Sequence, residues 1–216
     1  MNKLVRLIPL AGLVYLVLEL AGNGSIGSFP DENTPSGKLE TFYQAHHAGV
    51  ERGGVILSWA APFLALFAVA LWARLRRSDL HPLLGGALLL GAALTVADEL
   101  ASAGTYSLLG AIGAKTVLAP AALQALHVQG AGGSPITGNG GLMILLLATA
   151  AAGIATHALP RWLSWSALPL GLLQLTPLGF YADVIFWLWA AVAGIYMTLR
   201  PAAASGAAAA SPAFAR

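Results

Sequence analysis

Four carboxylates stand inside or at the ends of long apolar runs: Glu19, Asp98, Glu99 and Asp183. An ionised acid in a hydrocarbon environment costs free energy unless it faces protein or water, so each marks a candidate site. Around Asp98 the spacing is helical. Gly91, Thr95, Asp98, Glu99, Ser102 and Tyr106 recur every three or four residues, which stacks them along one stripe of a helix. Tyr15 and Glu19 repeat the i, i+4 relation, and Asp183 with Trp187 repeats it again. If these stripes converge, Glu19, Asp98, Glu99 and Asp183, with Thr95 and Tyr15, form a pocket for a proton, a cation or a small ligand, because closely spaced carboxylates share a proton or hold a cation between them. The structural alternative pairs the acids with Arg52 or Lys115, or lets them reach the interface from the ends of their helices.

The histidines carry less. In FYQAHHAGVERGG, His47 and Glu51 lie one helical turn apart and are the candidate metal ligands, but two ligands are too few and the paired His-Glu-x-x-His arrangement is missing. Phe42 and Tyr43 in the same segment read as aromatic anchors of an interfacial helix. His81, His127 and His157 are not spaced to sandwich a haem. No cysteine is present, which removes disulfides, thiolate metal sites and iron–sulfur clusters. No glycine-rich loop ends in Lys-Ser or Lys-Thr, no Gly-x-Ser-x-Gly occurs, and no lysine lies in the last apolar run. No catalytic constellation is legible, and no cofactor is implied.

The elements that must position these groups follow from composition. The chain of 216 residues is 57% hydrophobic and 9% charged, with a mean hydropathy of +0.74. Soluble domains are roughly a quarter charged, so the expected solvent is a lipid bilayer. A net charge of +2, without a basic run interleaved with aromatics, excludes nucleic acid as a partner. Three lysines against eight arginines, with heavy use of alanine, glycine and leucine, suggest a GC-rich bacterial source.

At about 20 residues per crossing, the expected fold is all-α: a polytopic membrane helix bundle of six transmembrane helices plus one short interfacial or re-entrant helix. The expected spans are residues 4–21, 53–73, 83–103, 142–159, 163–180 and 182–199, in a single domain over 1–200 followed by a disordered cytoplasmic tail over 201–216. The first run lacks a clear cleavage site and is read as a retained span. Residues 22–52, rich in acids, form the first outer segment. Residues 116–129 are too short to cross and carry Pro120, Gln124 and His127; a glycine-rich loop over 130–141 follows. Pro62, Pro169 and Pro177 are expected kinks, with Thr176 placed to bond a freed carbonyl. With both termini cytoplasmic in the inner (plasma) membrane, eight basic residues lie inside and Lys38, Arg52 and Lys115 lie outside.

The element FYQAHHAGVERGG, followed by a span ending LFAVALWARLRR and later by LPRWLSW, resembles uncharacterised multi-span membrane proteins common in actinobacteria. The resemblance implies a multi-pass bacterial membrane protein and carries no activity. Three functions are open: binding or transport of a small ligand, proton or cation through an acidic pocket open to the extracytoplasmic side; a structural or accessory role beside a membrane protein partner; and, least supported because no catalytic constellation is legible, a membrane enzyme.

Overall fold

The computed structural model describes residues 3–31, 33–76, 81–113, 115, 118–132 and 139–200. Two short 3-10 turns, Lys3–Arg6 and Ile8–Leu10, lead into seven α-helices: α1 (Ala11–Ile26), α2 (Ser36–Arg76), α3 (Pro82–Gly113), α4 (Pro120–Gly132), α5 (Gly140–Thr156), α6 (Arg161–Leu173) and α7 (Gly179–Leu199). The described residues contain no strand. Four stretches are long and apolar enough to cross a membrane: Ile8–Ile26, Ser36–Arg76, Pro82–Gly113 and Gly179–Leu199.

Six helices close into a ring in the order α1, α2, α3, α5, α6, α7, with α7 packed back on α1, while α4 lies outside it against α2 and α3. Small residues let neighbouring helix backbones come close, and here they set the approach. A methyl group on Gly91 would run into the α5 backbone at Leu145, and one on Gly141 would meet Thr95 of α3, so this glycine pair fixes the α3–α5 distance. Between α1 and α7, Gly12 faces the Ala190 carbonyl and Gly194 faces that of Pro9 in the same way. Leu64, Phe67, Leu71, Leu88, Leu146 and Phe186 fill the ring's centre. Val17, Leu20, Trp59, Leu66, Leu90 and Leu188 point outward and are exposed.

Helix lengths depart from the expected spans. At 1.5 Å per residue the 41 residues of α2 reach about 62 Å and the 32 of α3 about 48 Å, against a hydrocarbon core of about 30 Å. Residues 36–52, expected as part of an outer loop with an interfacial helix, are instead continuous with α2, since Leu39, Tyr43, Val50 and Leu57 put one buried stripe on the helix. The expected span 163–180 breaks at Leu173: α6 is 13 residues, and a turn over Gln174–Leu178 containing Pro177 precedes α7. Within that turn Thr176 Oγ1 donates to the Leu173 carbonyl at 2.7 Å. Pro62 and Pro169 lie inside α2 and α6. At the other end of α5, His157 in the left-handed conformation ends the helix, its N–H bonded to the Gly153 carbonyl. The glycine-rich segment is helical to Gly132. Its residues 133–138, together with Glu32, Arg77 and the tail over 201–216, lie outside the described residues.

Arg74 ties the ends of α2, α5 and α7 together, donating to the Ala158 carbonyl at 3.0 Å and to the Arg200 carbonyl. Arg76, Arg161 and Arg200 share this end of the ring with the start of α1. The opposite end carries α4 and the acids.

Candidate functional site

On α1, Tyr15, Glu19 and Asn23 form a stripe one turn apart and point into the ring. On α3 the stripe runs through Thr95, Asp98, Glu99, Ser102 and Tyr106, and α7 contributes Phe180, Asp183 and Trp187. These three stripes, with Leu57 of α2, Gly130 of α4 and Leu142 of α5, line one half-open cavity of about 180 Å³. Tyr15, Glu19, Thr95, Asp98, Glu99 and Asp183, singled out on separate helices by sequence spacing, all line it.

Tyr15, 1% exposed, donates its hydroxyl to Glu99 Oε1 at 2.6 Å. That bond crosses from α1 to α3. The second oxygen of Glu99, Oε2, is sealed from the surface and has no hydrogen-bond partner. Glu19, 6% exposed, accepts from Asn23 Nδ2 at 3.2 Å, and the same amide reaches the Glu19 carbonyl at 2.9 Å. Thr95 is satisfied within its own helix, its hydroxyl donating to the Gly91 carbonyl at 3.0 Å. Asp183 is half-buried. Beside it lies Gln174, which acts on it electrostatically although neither of its buried amide atoms makes a hydrogen bond of ordinary length.

Among the described residues the cavity lining holds four carboxylates and no lysine, arginine or histidine. Arg52 and Lys115, the cations that a structural pairing would use, are exposed and do not line it. The acids surround the space rather than converge on a point: among the described residues no three His, Asp or Glu side chains are close enough together to hold a metal ion. This applies to His47 and Glu51 as well. His47 Nδ1 faces the Gln44 carbonyl at 3.1 Å and Glu51 is exposed, with no third ligand beside them. Asn23, Asn139 and Gln174, all at or beside the cavity, were not marked by sequence reasoning. Asn23 extends the Tyr15–Glu19 stripe by one more turn and was the one with a usable signal; Asn139 and Gln174 lie at helix ends where no periodicity points to them.

A second polar core lies past the cavity, where the long ends of α2 and α3 meet α4. His127 of α4 is fully buried and stacks on Phe29, with ring centroids 4.9 Å apart. Its Nε2 faces the Asp31 carbonyl at 3.2 Å, and its Nδ1 lies 2.9 Å from the Tyr43 hydroxyl. A carbonyl can only accept, so Nε2 carries the proton and, in the neutral ring, Nδ1 accepts from Tyr43. Leu39, Leu109 and Leu123 pack around this group. Tyr106 connects the two regions, lining the cavity and meeting Phe29 edge-on at 5.1 Å.

Comparison with protein families, with curated proteins and with solved structures finds no match for this chain.

Proposed function

We propose that this chain is a six-span plasma-membrane protein that binds, and in binding transports, a proton, cation or small cationic ligand through an acidic cavity facing the extracytoplasmic side. The reading rests on one observation: four carboxylates share a cavity whose lining, among the described residues, offers no basic side chain. Charges of one sign gathered in a space removed from water repel one another, and a proton or a bound cation lowers that cost.

The topology uses α1, α2, α3, α5, α6 and α7 as crossings, with the arginine end of the ring cytoplasmic and both termini on that side, in accord with the basic-residue asymmetry. α5, at about 26 Å, is near the lower limit for a span; α6, at about 20 Å, is completed by the turn before α7. α4 stays on the outer side. The crossings fall into two groups of three, α1–α3 and α5–α7, each ending on an acid-bearing helix, an arrangement that suits a transporter.

Thermal melts of the purified protein across pH and several cations test the proposal. Wild type should gain stability on adding the right cation, and the gain should shrink as pH falls because protons compete for the same carboxylates. Asp183→Asn should fold and lose the cation dependence. A wild type indifferent to every cation, with Asp183→Asn destabilised by about 3–5 kcal/mol at all pH values as expected for breaking a buried pair, would leave the accessory-subunit role in its place.

A further inference from the structure

We propose that the arginine end of the ring is a binding surface for an anionic phospholipid, whose phosphate is held between Arg161 and Arg200 beside Arg74. The inference uses the membrane topology proposed above and is independent of the cavity's ligand. Arg74 builds the surface. Its guanidinium donates to the Ala158 carbonyl at 3.0 Å and to the Arg200 carbonyl, so it fastens the end of α7 to the turn that leads into α6. Arg200 follows the last residue of α7, and Arg161 opens α6 three residues after Ala158, so both are delivered to the flanks of Arg74. Tyr196 fixes Arg200 further. The guanidinium groups of Arg74 and Arg200 each lie 5.9 Å from its ring centre, which puts them within twice that distance of each other.

Arg161 and Arg200 are exposed, with no hydrogen bond or ion pair from either guanidinium to a described residue. No described acid shares this end: Glu19, Asp98, Glu99 and Asp183 line the cavity, and Asp31, Glu40 and Glu51 lie past it with the outer part of α2. The surface therefore asks for an anion from outside the chain. A lipid phosphate fits it better than a free one. α7 is apolar enough to cross a membrane, so Arg200 at its end emerges at headgroup depth, and guanidinium groups grip phosphate oxygens with two parallel hydrogen bonds. Basic pockets between helices on the cytoplasmic side bind anionic headgroups for this reason. Leu199 and Ile195 of α7, with Trp162 and Trp165 of α6, are exposed on the same two helices and offer apolar surface to the acyl chains.

The test uses the full chain in detergent with phosphatidylglycerol, phosphatidylcholine of the same acyl chains and inorganic phosphate as probes, read as Tm and as lipid retained in native mass spectra. Phosphatidylglycerol at 100 times its Kd should raise the folded-to-unfolded ratio about 100-fold, seen as a higher Tm. Phosphatidylcholine, with no net charge, should give a much smaller shift and be retained less. Arg161→Gln and Arg200→Gln should each weaken phosphatidylglycerol binding roughly fivefold. Arg76→Gln controls for charge alone. Arg76 lies two residues beyond Arg74, about 200° round α2, with its guanidinium 5.0 Å from the Trp72 ring, and its loss should leave the affinity unchanged. Equal losses in all three variants would mean diffuse attraction and overturn the site. Equal stabilisation by phosphatidylcholine, or by inorganic phosphate in place of lipid, overturns the assignment of an anionic lipid. Should a variant fail to fold, the headgroup preference of the wild type still decides, and no response to phosphatidylglycerol overturns the proposal while leaving the cavity's reading untouched.

Discussion

The bond from Tyr15 to Glu99 joins residues 84 apart in sequence on two helices, and it satisfies one of the two oxygens of a partly buried acid. Tyr15→Phe removes that donor and leaves the carboxylate with neither oxygen bonded, a loss of about 1–3 kcal/mol. In a Glu99→Gln background the same change should cost less, because the charge it would strand is gone, and a double-mutant cycle by thermal melts measures the difference. Equal losses in both backgrounds would mean that the pair is not coupled. At this scale the sequence was informative where chemistry repeats along one helix. Thr95, Asp98 and Glu99 declared themselves by spacing within an apolar run. Partners contributed by other helices did not: the seat of His127, made by Phe29, Tyr43 and the Asp31 carbonyl, draws on segments 84 to 98 residues away, and no local pattern encodes it.

Helix contacts turn on where small residues meet a neighbour's backbone. Gly91 is buried against α5, while Gly86, five residues earlier on α3, has open space where a side chain would go. Gly91→Ala should therefore destabilise by about 1–3 kcal/mol through overpacking. Gly86→Ala should stabilise by up to about 1 kcal/mol through helix propensity. Melts of the two variants check this, and similar values for both would contradict the α3–α5 packing. Hydropathy located the apolar cores of these helices, but their ends were legible only in part. The polar faces of residues 36–52 resemble a loop in composition, and the buried stripe from Leu39 to Leu57 that continues α2 is visible only when read at helical period. The break after Leu173 has a local cause in Pro177, which sequence reading took for a kink inside a span.

For the whole molecule, six crossings and four make different predictions at the loops around α5 and α6. The chain has no cysteine of its own, so single cysteines report cleanly. Introduced at Leu175 and Ala122, both exposed, they should react with an impermeant reagent added outside, and one at His157 should not. Reporters at the amino terminus and after Arg200 should read cytoplasmic, and one at Thr34 should read outside. Labelling of His157 from outside would show that α5 does not cross and would end the six-span arrangement. The expected orientation comes from charge asymmetry alone, because basic residues bias insertion, whereas the ring's closure through α7 and α1 depends on glycine contacts that hydropathy does not register.

The length of α2 has a mechanical consequence. With about 62 Å of helix and about 30 Å of hydrocarbon, roughly half of α2 stands in water in the six-span arrangement proposed above, as a mast braced by α3 and α4. Leu57 sits on the cavity wall, and Pro62, five residues further on inside α2, has no backbone N–H to donate, which makes it the place where the helix bends most readily, a joint just beyond the cavity. A tilt of about 10° at that joint carries the outer end of the helix several ångströms sideways. Anything that grips the cap from outside, an antibody fragment included, therefore holds a lever whose short arm is the wall of the cavity.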